Sequence, residues 1–322
     1  MSQNRRPVGE QREQQVINKP KRKKIRKRRV VLMCIVLFVA AISIYSFSQY
    51  KAGLNLAEDA KLESEPFSPD EQVGDIENYL LLGVDARGEE QSRTDTMMIL
   101  SWNHETDEMK LVSLMRDIYA EIPGYRNYKL NTAYYLGGVE LLKETINNMF
   151  DVPIHHYALI DFKNFERMID ILAPNGVEID VEKDMSKEIG VELKQGVHRL
   201  NGQELLGYAR FRQDAEGDFG RVARQQKVMS ALKEQVLSVS TIKNIPKFVG
   251  ATQGYVATDI TNAEKLAAVT EIMMSGGVEL QSLTIPQQGE FTYKSYSHAG
   301  SVIELNKEKS KQTLHNFLQM NE

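Results

Sequence analysis

Eighteen consecutive positions, 30–47, carry no charge, and residues 21–29 before them are basic at every position except Ile25. Eighteen residues of helix span about 27 Å, close to the hydrocarbon thickness of a bilayer, so the pattern predicts one transmembrane helix over residues 30–48. A cleaved signal peptide would have a shorter apolar core followed by small residues, which Gln49, Tyr50 and Lys51 do not supply. The run therefore reads as an uncleaved signal anchor. Residues 49–77 are rich in Glu, Asp, Ser and Pro, lack an apolar period, and read as a polar stalk with one short helix over 54–62.

From Asn78 short apolar runs alternate with longer stretches of helical period. The runs 79–84 (YLLLGV), 96–102 (TMMILSW) and 110–115 (KLVSLM) predict strands, and the first and third are too apolar for a sheet covered on one side. Leu136, Val139, Leu142, Ile146 and Met149 recur at helical spacing over 131–150. A strand is predicted over 156–161, a helix over 164–171, and a peripheral strand over 175–181. A short helix over 200–207 is opened by Asn201 and Gly202. The helix over 221–237 carries Val222, Met229, Leu232 and Val236 on one stripe. Two further helices are predicted over 242–250 and 262–274, and a closing strand over 278–285. The segment QQGEFTYKSYSHAG reads as a polar loop before a final amphipathic helix. The alternation implies one α/β domain over residues 78–322, a layered mixed β-sheet covered by helices.

Charge divides the chain in the same way. Residues 1–29 hold twelve of the 40 Lys/Arg and two of the 44 Asp/Glu, which leaves the remainder acidic. Under the positive-inside rule the basic tail stays cytoplasmic, giving a single-pass type II protein in the cell membrane with an extracytoplasmic domain. A basic segment abutting a membrane helix is a topology signal that also favours anionic lipid. The acidic domain and the missing helix-turn-helix pattern count against nucleic acid as a partner. Cys34, the only cysteine, lies in the apolar run, so the domain has no disulfide, thiolate zinc site or cysteine nucleophile.

Against this acidic background, residues 208–226 (YARFRQDAEGDFGRVARQQ) gather Arg210, Arg212, Arg221 and Arg224 around Asp214 and Asp218. Read as a strand, 208–212 would send Arg210 and Arg212 to one face and Ala209 and Phe211 to the core. Arg221, Arg224 and Gln225 would then share one side of a helix's first turn, where free N–H groups favour an anion. The pattern predicts a clamp for phosphate. A salt-bridged strand and a helix capped by Asp218 is the plainer alternative for any one arginine, and weaker for all four. Asp85 and Asp95 fall at the same end of a predicted hairpin, where two carboxylates need a cation between them; hard oxygen donors beside phosphate suit magnesium. The alternative has Asp85 capping a turn and Asp95 pairing with Arg93 or Arg87. Arg116 and Asp117 close the third strand, at the end where α/β folds hold ligands. Lys129 and Asn131 precede the long helix and offer a further cation and an amide. His155, His156 and His198 have no metal-ligand spacing with a third partner and are assigned no role.

LLLGVDAR, RTDTMMILS, LVSLMRDIYA, KLNTAYYLGG and YARFRQDAEGDFGRVARQQ, in this order behind a basic terminus and one apolar helix, resemble the LytR-CpsA-Psr family of cell-wall transferases. The resemblance covers residues 78–237, and the wall teichoic acid transferases are the branch it most resembles. It implies an enzyme on the outer face of a Gram-positive-type membrane that moves an anionic glycopolymer from a polyisoprenyl pyrophosphate to a peptidoglycan sugar hydroxyl. The product is a phosphodiester, and the lipid tail would lie in an apolar tunnel between sheet and helices. The resemblance also implies a magnesium ion held at Asp85 and Asp95. Arg87, Arg116, Arg210, Arg212 and Arg221 would bind the phosphates, with Lys129, Arg224 and Gln225 behind them. Such chemistry rests on positioning and charge neutralisation, which suits arginine's bidentate fork. Asp95 and Asp214 are both candidates to accept the hydroxyl proton, and an aspartate bound to magnesium is a poor base until the ion shifts. A second reading keeps the clamp without transfer, as a binding or regulatory protein of the wall.

Overall fold

The apolar runs pair as the alternation demands. In the computed structural model, which describes residues 27–60, 62–72, 74–85, 94–274 and 280–320, the chain divides into two units, residues 1–44 and 45–322. Helix α1 (Lys27–Ala57) starts in the first and ends in the second. It is long and apolar enough to cross a membrane, and its large apolar side chains between Val30 and Phe47 are exposed.

The second unit opens with strands β1 (Ile76–Val84), β2 (Thr94–Asn103) and β3 (Glu108–Leu114), then a short hairpin β4–β5 (Tyr119–Ala120, Tyr128–Lys129). Helix α2 (Asn131–Phe150), strand β6 (His156–Asp161) and helix α3 (Phe162–Leu172) follow, before a second hairpin β7–β8 (Val177–Val181, Gly196–Leu200). Four helices come next: α4 (Gly202–Arg210), α5 (Gly217–Leu237), α6 (Val239–Ile242) and α7 (Ile245–Tyr255). The chain ends through β9 (Val256–Thr258), α8 (Asn262–Met274), β10 (Leu280–Ile285), the hairpin β11–β12 (Phe291–Tyr296, Gly300–Leu305) and α9 (Lys307–Leu318).

The main sheet has the order β10-β3-β2-β1-β6-β9, with β1–β6 and β3–β10 parallel and the other pairs antiparallel. Strand period explains why YLLLGV is apolar throughout. Leu80, Leu82 and Val84 pack with Met97, Ile99, Val112 and Leu114 against Leu142 and Ile146 of α2 and Leu314 of α9. The alternate residues Leu81, Met98, Leu100, Ala158 and Ile160 face a cavity on the other side of the sheet.

Three expectations change. Helix α2 is broken, with Gly138 at φ 67° and Gly137 also non-helical. Glu65 caps the second half, accepting from Val139 N at 2.8 Å, and accepts from the Tyr134 hydroxyl at 2.7 Å. The segment expected to be a polar stalk is therefore attached to the domain. Asp70 accepts from Ile154 N and from the Asn147 amide, each at 2.7 Å. Gly53 and Ala57 of α1 pack on Gly250, Ala251 and Gly254 of α7, so closely that a Cβ on Gly250 would meet Tyr50 O at 2.2 Å. The polar loop expected over 287–300 is instead the hairpin β11–β12 in its larger part. Strand 175–181 is peripheral as expected: β7 pairs only with β8, burying Val177, Ile179 and Val181 in a smaller core against α4 and α5.

Candidate active site

Strands β1 and β2 pair Gly83 with Thr96 and then Val84 with Thr94, so Asp95 is the extra residue of a β-bulge. A bulge bends its strand and re-aims the side chain there. Asp85 follows β1 directly, and Arg116 follows β3 at the same end of the sheet. The strand expected over 208–212 is absent, because α4 runs on to Arg210. Its start is set by a capping box: Asn201 accepts from Glu204 N at 3.0 Å, and the Glu204 carboxylate accepts from Asn201 N at 3.0 Å. Ala209 and Phe211 are buried all the same, and Arg210 and Arg212 reach the cavity. Glu216, not Asp218, stands at the N-cap of α5.

The side chains converge as ion pairs with cations in excess. Arg116 donates to Asp95 at 2.5 Å and lies 3.8 Å from Asp218, which is 3.5 Å from Arg221. Arg210 lies 3.8 Å from Asp85 and over the Phe162 ring. Among the described residues Arg212 has no ion-pair partner. Gln225 donates to the Thr96 hydroxyl at 2.9 Å, tying α5 to the bulge. Burial works against the Arg116 charge, but Asp218 and Asp95 outweigh it and lift its pKa. Arg221 moves the other way: burial first, and Arg116 next to it, depress its pKa. Only 6% of Arg221 is exposed, and its Nε has no hydrogen-bond partner. A guanidinium so placed is short of negative charge.

Behind these arginines lies a cavity of about 780 Å³ between the sheet and helices α3, α4, α5, α7 and α8. Its wall includes Leu100, Ile160, Phe165, Met229, Phe248 and Ile272, and its charged residues include Asp85, Asp95, Arg116, Arg210, Arg212 and Arg221. Such a space suits an amphiphile with an anionic head and a hydrocarbon tail. Among the described residues no three histidine, cysteine or carboxylate side chains form a metal cage. Asp85 and Asp95 nevertheless place two hard oxygen donors on the cavity wall and could hold a magnesium ion there.

The model of the LytR_cpsA_psr family matches residues 42–316. This chain belongs to the LytR-CpsA-Psr family. The protein is 43% identical over 280 residues to the regulatory protein MsrR of Staphylococcus aureus strain COL, covering 85% of each chain. It is 31% identical over 239 residues to the polyisoprenyl-teichoic acid–peptidoglycan teichoic acid transferase TagU of Bacillus anthracis, covering 72% of this chain and 78% of TagU. The solved structure of YwtF (TagT) of Bacillus subtilis with bound octaprenyl pyrophosphate lipid is similar at a TM-score of 0.57 and 26% identity, covering 79% of this chain and 94% of that one.

Within this LytR-CpsA-Psr domain the residues singled out from sequence separate into two groups. Asp85, Asp95, Arg116, Arg210, Arg212, Arg221 and Gln225 line the cavity. Arg224, Asp214 and Lys129 do not. The Arg224 side chain is 2% exposed, donates to Phe211 O at 3.2 and 3.0 Å and to Glu182 at 2.9 Å, and pairs with Asp214 at 3.2 Å. Asp214 also pairs with Lys183 at 3.0 Å. Burial raises its pKa, but Lys183 and Arg224 more than reverse this and hold the carboxyl below its ordinary range. Lys129 pairs with Asp117 at 2.8 Å. Arg87 lies outside the described residues. Asp218, taken from sequence only as a cap, orients both Arg116 and Arg221.

A second titratable cluster had no sequence signal, because its members come from distant elements. His156 bonds Asp259 at 2.6 Å and Glu77 at 3.0 Å; His104 bonds Glu77 and Glu271, each at 3.1 Å; and Tyr79 donates to Glu77. The His156 bond holds the Glu77 carboxyl down to about 2, and Asp259 followed by Glu77 raises His156 to about 10. The His156 contribution is complete below its ordinary 6.5 and is lost as pH rises through about 10. That of Glu77 is complete above 4.5 and is lost as pH falls through about 2. Denaturant melts across a pH series should therefore show greatest stability between 4.5 and 6.5 and a decline on the alkaline side. Glu77→Gln should cost about 2 kcal/mol near neutrality, less than for a fully buried pair, and should flatten the alkaline decline. An equally steep decline in that variant contradicts the assignment.

Proposed function

We propose that this protein is a membrane-anchored phosphotransferase that moves an anionic glycopolymer, wall teichoic acid, from a polyisoprenyl pyrophosphate to a peptidoglycan sugar hydroxyl. One observation carries the reading: Arg221, buried with an unpartnered Nε, stands among Arg116, Arg210 and Arg212 on an apolar cavity. An amphiphile with a pyrophosphate head matches both features, the excess of arginines and the apolar wall of the cavity. The polyisoprenyl-teichoic acid transferase TagU and TagT with its bound octaprenyl pyrophosphate support the same donor class. Helix α1 would anchor the protein with its basic end in the cytoplasm and its domain outside.

In the reaction the acceptor hydroxyl oxygen attacks the glycan-side phosphorus. A new P–O bond forms, the bridging P–O bond breaks, and lipid monophosphate leaves. Arg116, Arg210, Arg212 and Arg221 stabilise the charge on the non-bridging oxygens, an environment worth most where water is excluded. Asp85 and Asp95 would hold magnesium, which when bound neutralises pyrophosphate charge. Asp95 is the better candidate for the hydroxyl proton once the ion shifts, because it lines the cavity and Asp214 does not. Arg116 orients that carboxylate.

The regulatory name of MsrR favours a second reading, in which the clamp holds lipid without transfer. Incubating the full chain in nanodiscs with lipid-pyrophosphate-linked glycan, peptidoglycan oligomer and magnesium separates them. Linked product that is lost in Asp95→Ala and Arg116→Ala supports transfer. Tight lipid binding with no product supports the regulatory reading and sinks the transferase.

A further inference from the structure

Helix α5 sets the long axis of the cavity. Arg221 and Val236 both line it, and fifteen residues of helix separate them by about 22 Å. Helix α3 also runs from the arginine end, where Phe162 lies under Arg210, to Leu172. The far end lies at the start of α7. There the Asn244 side-chain amide donates to Leu172 O at 3.2 Å, and only α6 intervenes between the end of α5 and α7.

The direction of α7 is tied to that of α1. Gly53 stands against Lys247 O and Ala57 against Gly254, so the two helices run the same way. The contact is bonded as well as packed: the Tyr50 hydroxyl accepts from Gln253 at 2.8 Å, and Tyr255 donates to Leu56 O at 2.6 Å. On its opposite face α7 presents Phe248 and Thr252 to the cavity. The apolar run ends at Phe47, about one turn before Tyr50, and Lys51, the first charge after it, lies over the Phe47 ring at 5.3 Å. Helix α7 therefore starts on the side of the apolar run and ends away from it.

The α6–α7 corner at this start exposes 43% of Ile242, followed by exposed Lys243. An exposed apolar side chain beside a lysine suits the boundary between headgroups and hydrocarbon. The carboxylates at the same end of the sheet, Glu105, Asp107 and Glu108 of the β2–β3 turn, stand apart from the corner, because β2 lies three places from β9 in the sheet.

We propose that the end of the cavity remote from the arginines opens onto the bilayer, with the α6–α7 corner seated in the interface at Ile242. A lipid tail then passes from the membrane into the cavity while its anionic head is lifted by about 22 Å to the arginines. The rest of the tail stays in hydrocarbon, so little apolar surface meets water during transfer. The proposal rests on the anchored, lipid-donor reading above, but its labelling test needs no transfer.

The test places a nitroxide spin label at Ile242→Cys or Tyr293→Cys, each in a Cys34→Ala background of the full chain in nanodiscs. Tyr293 is the reference for the arginine end: it is 66% exposed on β11–β12, and Ile303 N of that hairpin donates to Asp117 O at 2.9 Å. Oxygen should relax the label at 242 more strongly than the label at 293, and a water-soluble nickel chelate should do the reverse. Equal access of the chelate to both labels overturns the orientation. Ile242→Glu, an exposed substitution that leaves the core intact, should lower transfer from a bilayer-embedded donor about tenfold and leave transfer from a water-soluble short-prenyl donor unchanged. No loss, or the same loss with both donors, overturns passage from the bilayer. A label in lipid without any transfer keeps the orientation and removes the transferase, and a label in water with transfer intact removes the orientation alone.

Discussion

Arg221→Ala should lower transfer by about 10²–10³-fold while leaving the domain folded, and Arg224→Ala should unfold the domain rather than disable it. The two arginines are three residues apart on α5 and share one side of the helix, yet their surroundings differ. Arg221 is a buried cation with a depressed pKa and an unpartnered Nε, so alanine removes a cost along with the anion contact. Thermal melts of that variant should match or exceed the wild type. Arg224 joins Glu182, Asp214 and Phe211 O through its own donors. Truncating it strands two carboxylates and a carbonyl, at a cost of about 3–5 kcal/mol. Melting and transfer assays on both variants check the division. A stable, inactive Arg224→Ala together with an unstable Arg221→Ala would reverse the roles assigned to them.

Filling the cavity is the second large effect. Ala158 lies on strand β6, between β1 and β9, with its side chain toward the cavity. Ala158→Phe would place a ring in that space of about 780 Å³ without crowding the core on the opposite face of the sheet, so stability should hold or rise. A lipid tail would lose its seat. Excluding one five-carbon unit forfeits on the order of 3–4 kcal/mol at about 0.8 kcal/mol per buried CH₂, which is at least a hundredfold in affinity. Trp102, the only tryptophan, also lines the cavity, so its emission reports tail insertion directly. Polyprenyl pyrophosphate should change that emission in the wild type and not in Ala158→Phe. Equal lipid affinity in the two proteins would remove the tail from the cavity.

The layered sheet was legible because β1 and β3 are apolar on both faces, and two faces must be covered. What the sequence could not distinguish was core from cavity: Leu80 and Leu81 are equal as letters, and only the parity of the strand separates them. The carboxylates and most of the arginines were legible through their clustering at strand ends and at the start of α5. Arg224 was not separable from Arg221, because Glu182 and Phe211, which hold it, come from elsewhere in the chain. The strand read over 208–212 failed because Ala209 and Phe211 at alternate positions fit two local structures, and the capping box at Asn201 decides for the helix. Residues 49–77 looked solvated because Glu65 and Asp70 are acidic. Their partners are backbone N–H groups of α2 and the loop before β6, which composition does not reveal. The hairpin β11–β12 carried a strand signal in its aromatic residues that its polar neighbours obscured.

In the proposed reaction the bond cut is the bridging P–O bond of a lipid pyrophosphate and the bond made is a glycan–acceptor phosphodiester. A donor whose glycan-side and lipid-side phosphates carry different phosphorus radioisotopes, turned over once by the full chain with peptidoglycan oligomer and followed by separation and counting of the products, tests it. The glycan-side label should appear in the linked product and the lipid-side label in lipid monophosphate, in equal amounts. Donor left intact, or both labels retained on one product, would contradict it.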